Sequence, residues 1–220
     1  MDGIKAAKPG CHHRMTESIV KGSLQQPGGA IEGLERIVRS GKTRYIGFIC
    51  RGGDGRQVRQ LLDTGKFHLI NLIYNLLNPS AAGPLPRGLS VDADFEGVIE
   101  AAQAHGAGVA VYSPLSGGLI TDDAVTGADP HPLSGSRRSG DAVDLGRRQA
   151  KAIQFLKRPG RSLAQAGFDF ILGNPGVTTV LGGFSDIAQL EELAGRSGAA
   201  PLTQEEMERV AMAWRANFGG

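Results

Sequence analysis

Two stretches of small residues in this 220-residue sequence are candidates for holding a phosphate group. The first is YSPLSGG at 112–118, and the second is GGFSD at 182–186. Small side chains let backbone N–H groups approach an anion closely, and the N-terminus of a helix adds positive potential. On spacing alone, an ordinary tight turn explains GGFSD equally well. The usual glycine patterns for dinucleotides and for P-loops are absent from the sequence.

Both stretches follow apolar runs that belong to an alternating strand and helix pattern. Short apolar runs predict strands at 44–50, 67–75, 108–113 and 177–183. Apolar residues at helical spacing predict helices at 31–38, 58–62, 95–106, 148–158, 162–172, 185–195 and 203–214. Ser162 is a predicted N-cap, and Thr203 with Glu206 forms a predicted capping box. The interval 119–147 has many Gly, Pro, Asp and Ser residues without periodicity, which predicts a long loop.

The alternation of elements predicts a parallel sheet. Strands separated by helices of this length run parallel with right-handed crossovers, and we expect their apolar residues to be covered on both faces. A (β/α) barrel and an open doubly wound sheet both fit this order. A complete barrel takes ~250 residues, with a lower limit near ~200, and only four strands are convincing here. In both architectures ligands bind at the carboxyl ends of the strands.

Composition narrows the class of protein. A formal charge of +2 gives no reason to expect a nucleic-acid partner, and no stretch approaches the ~18 apolar residues of a transmembrane helix. Cys11 and Cys50 form neither a disulfide framework nor a metal-binding pattern. The N-terminal segment lacks the apolar centre of a signal peptide. We therefore expect one globular domain over 1–220 in a reducing, cytoplasmic setting.

Four segments at the predicted strand ends carry a family resemblance. They are GKTRYIGF, NLIYNLL, VAVYSPLSGGLIT and NPGVTTVLGGFSDIAQLEE. In this order, over about residues 28–195, they resemble the second half of an aldo-keto reductase. The resemblance implies an α/β fold, a partial TIM-type (β/α)8 barrel with about four to five βα units of the C-terminal half, after an irregular segment at 1–27. It also implies metal-free, reversible reduction of an aldehyde or ketone with NADP(H), or sometimes NAD(H), as cofactor.

The resemblance assigns cofactor contacts to residues at these strand ends. Tyr112 would stack on the nicotinamide ring with the turn after it around the pyrophosphate, and Asn71 would hold the carboxamide. The turn at 183–185 would meet the adenosine phosphate, and Gln189 and Glu192 would meet the ribose and adenine. The implied set is Asn71, Tyr112, Ser113, Leu115, Ser116, Gly118, Gly183, Phe184, Ser185, Gln189 and Glu192. The residues themselves leave alternatives open: a core aromatic, a buried amide bonded to backbone, and a solvated helix face.

The sequence departs from the family pattern in the cofactor half. Ile49 and Leu193 stand where the family commonly has Ser and Asn, and the side chain of Ile49 cannot form a hydrogen bond. Ser185 and Asp186 stand in the turn that in the family carries basic residues for a 2′-phosphate. Asp186 would repel that phosphate or could meet a ribose hydroxyl. The choice between NADP(H) and NAD(H) is therefore open.

Catalysis in the family depends on Asp, Tyr, Lys and His. His12 matches the histidine that orients the carbonyl, whereas no residue matches the other three. We therefore expect a truncated barrel, which leaves three functions open. These are an aldo-keto reductase-like oxidoreductase whose catalytic units are absent, a non-catalytic NADP(H)-binding or regulatory module, and an interaction protein. Half of a barrel exposes two strand edges and the inner face of its sheet, so we also expect self-association.

Overall fold

The computed structural model describes residues 28–52, 54–127 and 141–219 of the chain. Their strands form one parallel sheet of β1 (Gly47–Ile49), β2 (Leu69–Ile73), β3 (Gly108–Tyr112) and β4 (Thr179–Leu181). The strands lie side by side in chain order, β1-β2-β3-β4. A doubly wound sheet reverses its strand order at a switch point, whereas a (β/α) barrel does not. The strand order is therefore that of a partial barrel.

The helices alternate with the strands as expected for βα units. In the described ranges they are α1 (Ala30–Arg39), α2 (Gly55–Leu62), α3 (Val98–Ala104), α4 (Asp122–Thr126), α5 (Asp141–Ala152), α6 (Leu163–Leu172), α7 (Ile187–Ala194) and α8 (Gln204–Arg215). Short 3₁₀ turns lie at Ser80–Ala82, Gln154–Leu156 and Asn217–Gly219. The predicted N-cap at Ser162 and the capping box of Thr203 with Glu206 are both confirmed. Among the described helices, none combines the length and apolar character needed to cross a bilayer.

The two faces of the sheet are covered differently. On the outer face, Ile70, Leu72 and Val109 are fully buried among side chains of α3 and α6. On the inner face, Ile49 is 61% exposed and Leu181 is 45% exposed. The prediction that both faces are covered is therefore wrong for the inner face. The expectation that half of a barrel exposes this face is confirmed for the described residues.

The interval 119–147, predicted as a loop, contains helical segments. α4 begins after Thr121, whose hydroxyl caps its first turn. α5 begins before the predicted start at 148. Gly146 interrupts the apolar pattern of α5, and a side chain at this position would collide with Leu119. The loop prediction is therefore wrong where α4 and α5 lie, because a short capped helix and a glycine required by packing both resemble loop sequence.

A buried charge cluster of Arg161, Asp169, Arg196 and Glu206 connects α8 to α6 and to the segment after α7. Arg196 Nη2 lies 2.6 Å from Asp169 Oδ2. Arg161 donates hydrogen bonds to the Leu156 carbonyl and to the Glu206 carboxylate. The side chains of Arg161 and Asp169 are only 4% and 1% exposed. Water therefore screens these charges little, and each depends on its partners.

The position of Glu206 in this cluster predicts a pH dependence of stability. Burial alone would raise the pKa of Glu206, but hydrogen bonds from Arg161 and the Thr203 N–H, with the charges of Arg161 and Arg158, lower it below its usual range. A carboxyl group with a lowered pKa stabilises the folded chain above its unfolded pKa of about 4.3 and loses this contribution as the pH falls through the folded value. We expect Glu206→Gln to lower Tm near neutral pH and to flatten its fall between about pH 5 and pH 3, measured by circular dichroism. The matched control is Glu208→Gln on the exposed side of α8, and an unchanged slope in the Glu206 variant would contradict this role.

Candidate functional site

Tyr112 is the last residue of β3 and lies on the inner face, at the carboxyl edge of the sheet. It is in register with Ile73 of β2 and Leu181 of β4. Its hydroxyl donates to the carbonyl oxygen of Cys50, just beyond β1, at 3.3 Å. Because β2 lies between β3 and β1, the side chain reaches across the inner face of β2 near its carboxyl end. Tyr112 is half-buried and is not among the buried core residues, which does not support the alternative of a core aromatic.

Asn71 lies on the same inner face, in the middle of β2. It is in register with Ile49 of β1 and Ala110 of β3. Within the described part of the chain, no donor reaches its buried Oδ1. An unpaired buried acceptor costs about 1–3 kcal/mol, so a ligand N–H at this point would be stabilising. The neighbouring side chain of Ile49 offers apolar surface alone.

The turn after Tyr112 is bonded to itself. The Ser116 N–H donates to the Ser113 carbonyl at 3.0 Å, and the Gly118 N–H donates to the Leu115 carbonyl at 3.0 Å. Ser113 and Ser116 have φ angles of 53° and 52°, in the left-handed region that costs a non-glycine residue about 1–3 kcal/mol. The N–H groups of Ser116 and Gly118 are thus engaged within the turn. Contacts with an anion must come from other groups of this segment.

Two contacts hold this turn in place. Asn75 Nδ2 donates to the Ser113 carbonyl at 3.0 Å, and the partly buried side chain of Leu115 packs against the hydrophobic core near Gly167. Asn75 is itself buried, and its Oδ1 accepts two backbone N–H groups of the segment that follows it. Sequence reasoning missed Asn75, because its hydrogen bond joins residues that are 38 positions apart in the chain. Leu115 therefore anchors the turn through its side chain.

The second turn, residues 182–186, follows β4 at the same edge of the sheet. Gly183 is exposed, and no atom lies within 4 Å of the point where its Cβ would stand. Phe184 is 40% exposed, and its ring covers Gly182 so closely that a side chain there would collide with it. The backbone at Gly183 is therefore open to a ligand, as a phosphate-binding turn requires.

Gln189 and Glu192 lie three residues apart on α7, and both bond to neighbouring protein groups. The Ser185 N–H donates to Gln189 Oε1 at 2.9 Å, and the Gln189 N–H donates to Asp186 Oδ1 at 2.8 Å. The Ser162 hydroxyl donates to the Glu192 carboxylate. The alternative of a solvated helix face is therefore wrong for Glu192. Together with the buried charge cluster, these bonds fix α7 on α6, a link that sequence reasoning did not predict.

Two further residues bear on chemistry at this edge. His12 lies outside the described residues, so its role in orienting a carbonyl stays a prediction. Burial raises the pKa of the Cys50 thiol to about 12. The thiol therefore stays protonated at neutral pH and is a poor nucleophile. The contribution of Cys50 to the site is its carbonyl oxygen.

Comparisons with known proteins bear on the family and the fold of this chain. The model of the Aldo/keto reductase family matches residues 21–215. The L-glyceraldehyde 3-phosphate reductases of Escherichia coli O157:H7 and of Escherichia coli strain K12 are 27% and 28% identical to this chain over 190 residues. These alignments cover 80% of this chain and 51% of each relative. The chain thus spans about half the length of the curated relatives it matches.

Solved structures share the fold at lower sequence identity. The holo form of aldo-keto reductase AKR11C1 from Bacillus halodurans is similar with a TM-score of 0.62 and 22% identity, over 89% of this chain and 59% of that chain. Its apo form gives a TM-score of 0.61 and 22% identity, over 89% of this chain and 60% of that chain. These likenesses establish a partial (β/α) barrel of the aldo-keto reductase type. Because the family model matches most of its length, this chain belongs to the aldo/keto reductase family.

Proposed function

We propose that this chain binds NADP(H), with NAD(H) as the alternative dinucleotide, across the carboxyl ends of the four strands that the structure describes. The observation that best supports this proposal is that Asn71 and Tyr112 lie on the same inner face of the sheet. The Asn71 Oδ1 is buried there, and no donor reaches it within the described structure. A carboxamide N–H₂ supplies the missing donor, and the Tyr112 ring supplies a face for stacking. When bound, the nicotinamide supplies the hydride that reduces an aldehyde or ketone.

The remaining residues of the site would hold the rest of the dinucleotide. The open backbone at Gly183 and the N-terminus of α7 suit a phosphate. Asp186 caps α7 by accepting the Gln189 N–H, which keeps a carboxylate beside this turn. A carboxylate disfavours the 2′-phosphate of NADP(H) and suits the ribose hydroxyl of NAD(H). The relative affinities for the two dinucleotides therefore measure the influence of Asp186.

The tyrosines of the chain favour a second candidate, a non-catalytic NADP(H)-binding or regulatory module. The general acid of the family is a tyrosine, and this chain has three. Tyr45 is 63% exposed ahead of β1, Tyr74 is buried with its pKa raised by burial, and Tyr112 donates to the Cys50 carbonyl. Tyr45 is thus away from the site, Tyr74 is buried, and the Tyr112 hydroxyl is already bonded, so none of them is placed as the general acid. Loss of a general acid commonly reduces the rate by ~10²–10⁴.

We expect NADPH to bind the chain and Asn71→Leu to weaken that binding by about tenfold, the value of one hydrogen bond to a buried acceptor. Fluorescence titration with NADPH, NADP⁺ and NADH gives the three affinities. The matched variant Asn71→Gln keeps the amide and is expected to bind within about threefold of the wild type. Equal affinity for Asn71→Leu and the wild type would contradict the assignment of the carboxamide.

A second measurement separates the two candidate functions. Loss of NADPH absorbance is followed with a panel of aldehydes and ketones, on the same protein preparation as the titration. Turnover that requires the carbonyl supports the reductase, whereas binding without turnover supports the regulatory module. If none of the three nucleotides binds, both candidates fail. A small-molecule carbonyl substrate and a cytoplasmic setting belong to this proposal, the latter because two cysteines without a disulfide framework suit a reducing compartment.

A further inference from the structure

The exposed large apolar side chains of the described residues concentrate at the two edges of the sheet. Eleven such side chains are exposed, and the three that lie elsewhere are Leu145, Leu172 and Met212. Four form what we call the β1 surface: Ile37, Tyr45, Ile49 and Leu69. Four form what we call the β4 surface: Leu181, Phe184, Ile187 and Leu190. Clustered exposed apolar residues mark sites of association rather than ordinary solvent-facing surface.

The strands after which these two surfaces are named, β1 and β4, are both edge strands of the described sheet, and Leu69 lies on β2 beside β1. Within the described sheet, β1 pairs with β2 alone and β4 pairs with β3 alone. The outer side of each therefore presents backbone N–H and C=O groups to a further strand. The adjacent inner face is apolar and exposed at Ile49 and Leu181. A partner that supplies both strands and apolar side chains would cover edge and face together.

The two surfaces carry opposite charge. The segment 30–45, which contains α1 and leads into β1, has the basic residues Arg36, Arg39, Lys42 and Arg44 and the acidic residues Glu32 and Glu35. The segment 181–194, which contains the end of β4 and α7, has Asp186, Glu191 and Glu192 and no basic residue. Like surfaces of two copies would therefore repel each other, whereas unlike surfaces attract. The charges therefore favour contact between the β1 surface of one copy and the β4 surface of the other over contact between two like surfaces.

The parallel sheet makes this pairing self-limiting. The four described strands are parallel. If β1 of a second copy lies beside β4, it can run parallel to β4 and continue the order β1-β2-β3-β4. A rotation of half a turn about an axis along the strands brings both pairs of unlike edges together at once. The four described strands of each copy together make eight, the number that closes a (β/α)8 barrel. The similarity to a solved aldo-keto reductase, with a TM-score of 0.62, is a similarity to part of such a barrel.

We propose that this chain forms a twofold dimer in which the β1 surface of each copy packs against the β4 surface of the other and the two sheets close one eight-stranded barrel. The occupant of the uncovered inner face is therefore the second copy. Closed symmetry of this kind yields a finite dimer, whereas the same two unlike surfaces in an open arrangement yield a growing filament. The proposal does not depend on coenzyme binding.

The test is the mass of the chain in solution, by sedimentation velocity and light scattering. We expect a species of about twice 23.1 kDa. Ile187→Lys places a positive charge on the β4 surface, opposite the basic β1 surface, and is expected to raise the dimer dissociation constant at least about tenfold. Ile187 is 72% exposed, so the substitution removes little packing within one copy. Raising the salt concentration is expected to weaken the wild-type dimer, because these charges are at the surface.

Two control variants make the test specific. Ile187→Asp carries the opposite charge at the same place and is expected to dissociate less than Ile187→Lys, because it faces basic residues. Met212→Lys changes a side chain that is 57% exposed on α8, outside both surfaces, and is expected to leave the dimer intact. A monomeric wild type overturns the proposal, including a monomer whose inner face is covered by residues 1–27. Growth beyond the dimer, or equal effects of Ile187→Lys and Met212→Lys, overturns it as well.

Discussion

Replacing Asp169 with alanine is expected to lower the free energy of unfolding by about 3–5 kcal/mol, the cost of breaking a buried ion pair from one side. The Asp169 carboxylate is 1% exposed and accepts hydrogen bonds from Arg196 Nη2 at 2.6 Å and Arg196 Nε at 2.9 Å. Arg161 Nη1 lies 3.9 Å from the same carboxylate. The substitution leaves the Arg196 guanidinium without its counter-charge and removes one of the two carboxylates beside Arg161. Urea unfolding followed by circular dichroism measures the change.

Two variants separate the ion pair from the loss of side-chain volume. Asp169→Leu combined with Arg196→Met replaces the pair by apolar groups and is expected to recover most of the lost stability, because such replacements are often neutral. Glu208→Ala, at an exposed carboxylate of α8, is expected to change the free energy of unfolding by less than about 0.5 kcal/mol. An Asp169→Ala variant as stable as the Glu208 control would show that water reaches the charge cluster.

The stability of this cluster matters for the site because it positions α7. Arg196 follows α7 directly, and Asp169 lies on α6. At the other contact between these helices, the Ser162 hydroxyl donates to Glu192. α7 is thus attached to α6 at two points, and it carries the residues proposed to meet the ribose and adenine. Because these contacts already order α7, its side chains lose little conformational entropy when a ligand binds.

The features that could be predicted from the sequence are local. Ser162, Thr203 and Glu206 form caps through hydrogen bonds that span three residues, so the residue types at fixed spacing are sufficient. The parallel strands follow from the alternation of apolar runs with helical patterns. The positions of the site residues came from resemblance to the family, and the structure brings Asn71 and Tyr112 to one face of the sheet as that resemblance implies.

The features that could not be predicted depend on groups far apart in the chain. The hydrogen bond from Asn75 to the Ser113 carbonyl spans 38 residues, and no local pattern announces it. Ile49 is exposed because no described residue packs over it on the inner face of the sheet. The apolar sequence of β1 does not indicate whether this face is covered. The glycine at position 146 resembles a helix breaker in sequence, yet packing against Leu119 requires it inside α5. Each of these is a tertiary effect that overrides a local preference.

Replacing Tyr112 with alanine is expected to weaken NADPH binding by about 30-fold, or about 2 kcal/mol. Removal of the ring costs the buried apolar area between it and the nicotinamide, together with the ~0.5–1.5 kcal/mol that a stacked aromatic pair adds. Tyr112 ends β3 and is in register with Ile73, on the face that also presents Asn71. Isothermal titration calorimetry of the Tyr112→Ala variant with NADPH measures the effect.

Tyr112→Phe distinguishes the ring from its hydroxyl. The bond from the hydroxyl to the Cys50 carbonyl is 3.3 Å long, beyond the usual range for an O–H donor, so it contributes little to holding the ring. We expect Tyr112→Phe to bind NADPH within about threefold of the wild type. Tyr45→Ala, at a tyrosine that is 63% exposed ahead of β1, is the matched control for loss of an aromatic residue and is expected to bind normally.

The two outcomes for the alanine variant have different structural meanings. The ring of Tyr112 lies between the end of β3 and the left-handed φ of 53° at Ser113, and its hydroxyl donates to the Cys50 carbonyl at 3.3 Å. The ring is half-buried at a strand end and is not part of the buried core, so part of its surface faces away from the core. If Tyr112→Ala binds NADPH as tightly as the wild type, the nicotinamide does not lie on this face. The unpaired oxygen of Asn71 would then need a different donor, and the dinucleotide site would have to be sought away from the inner edge of the sheet.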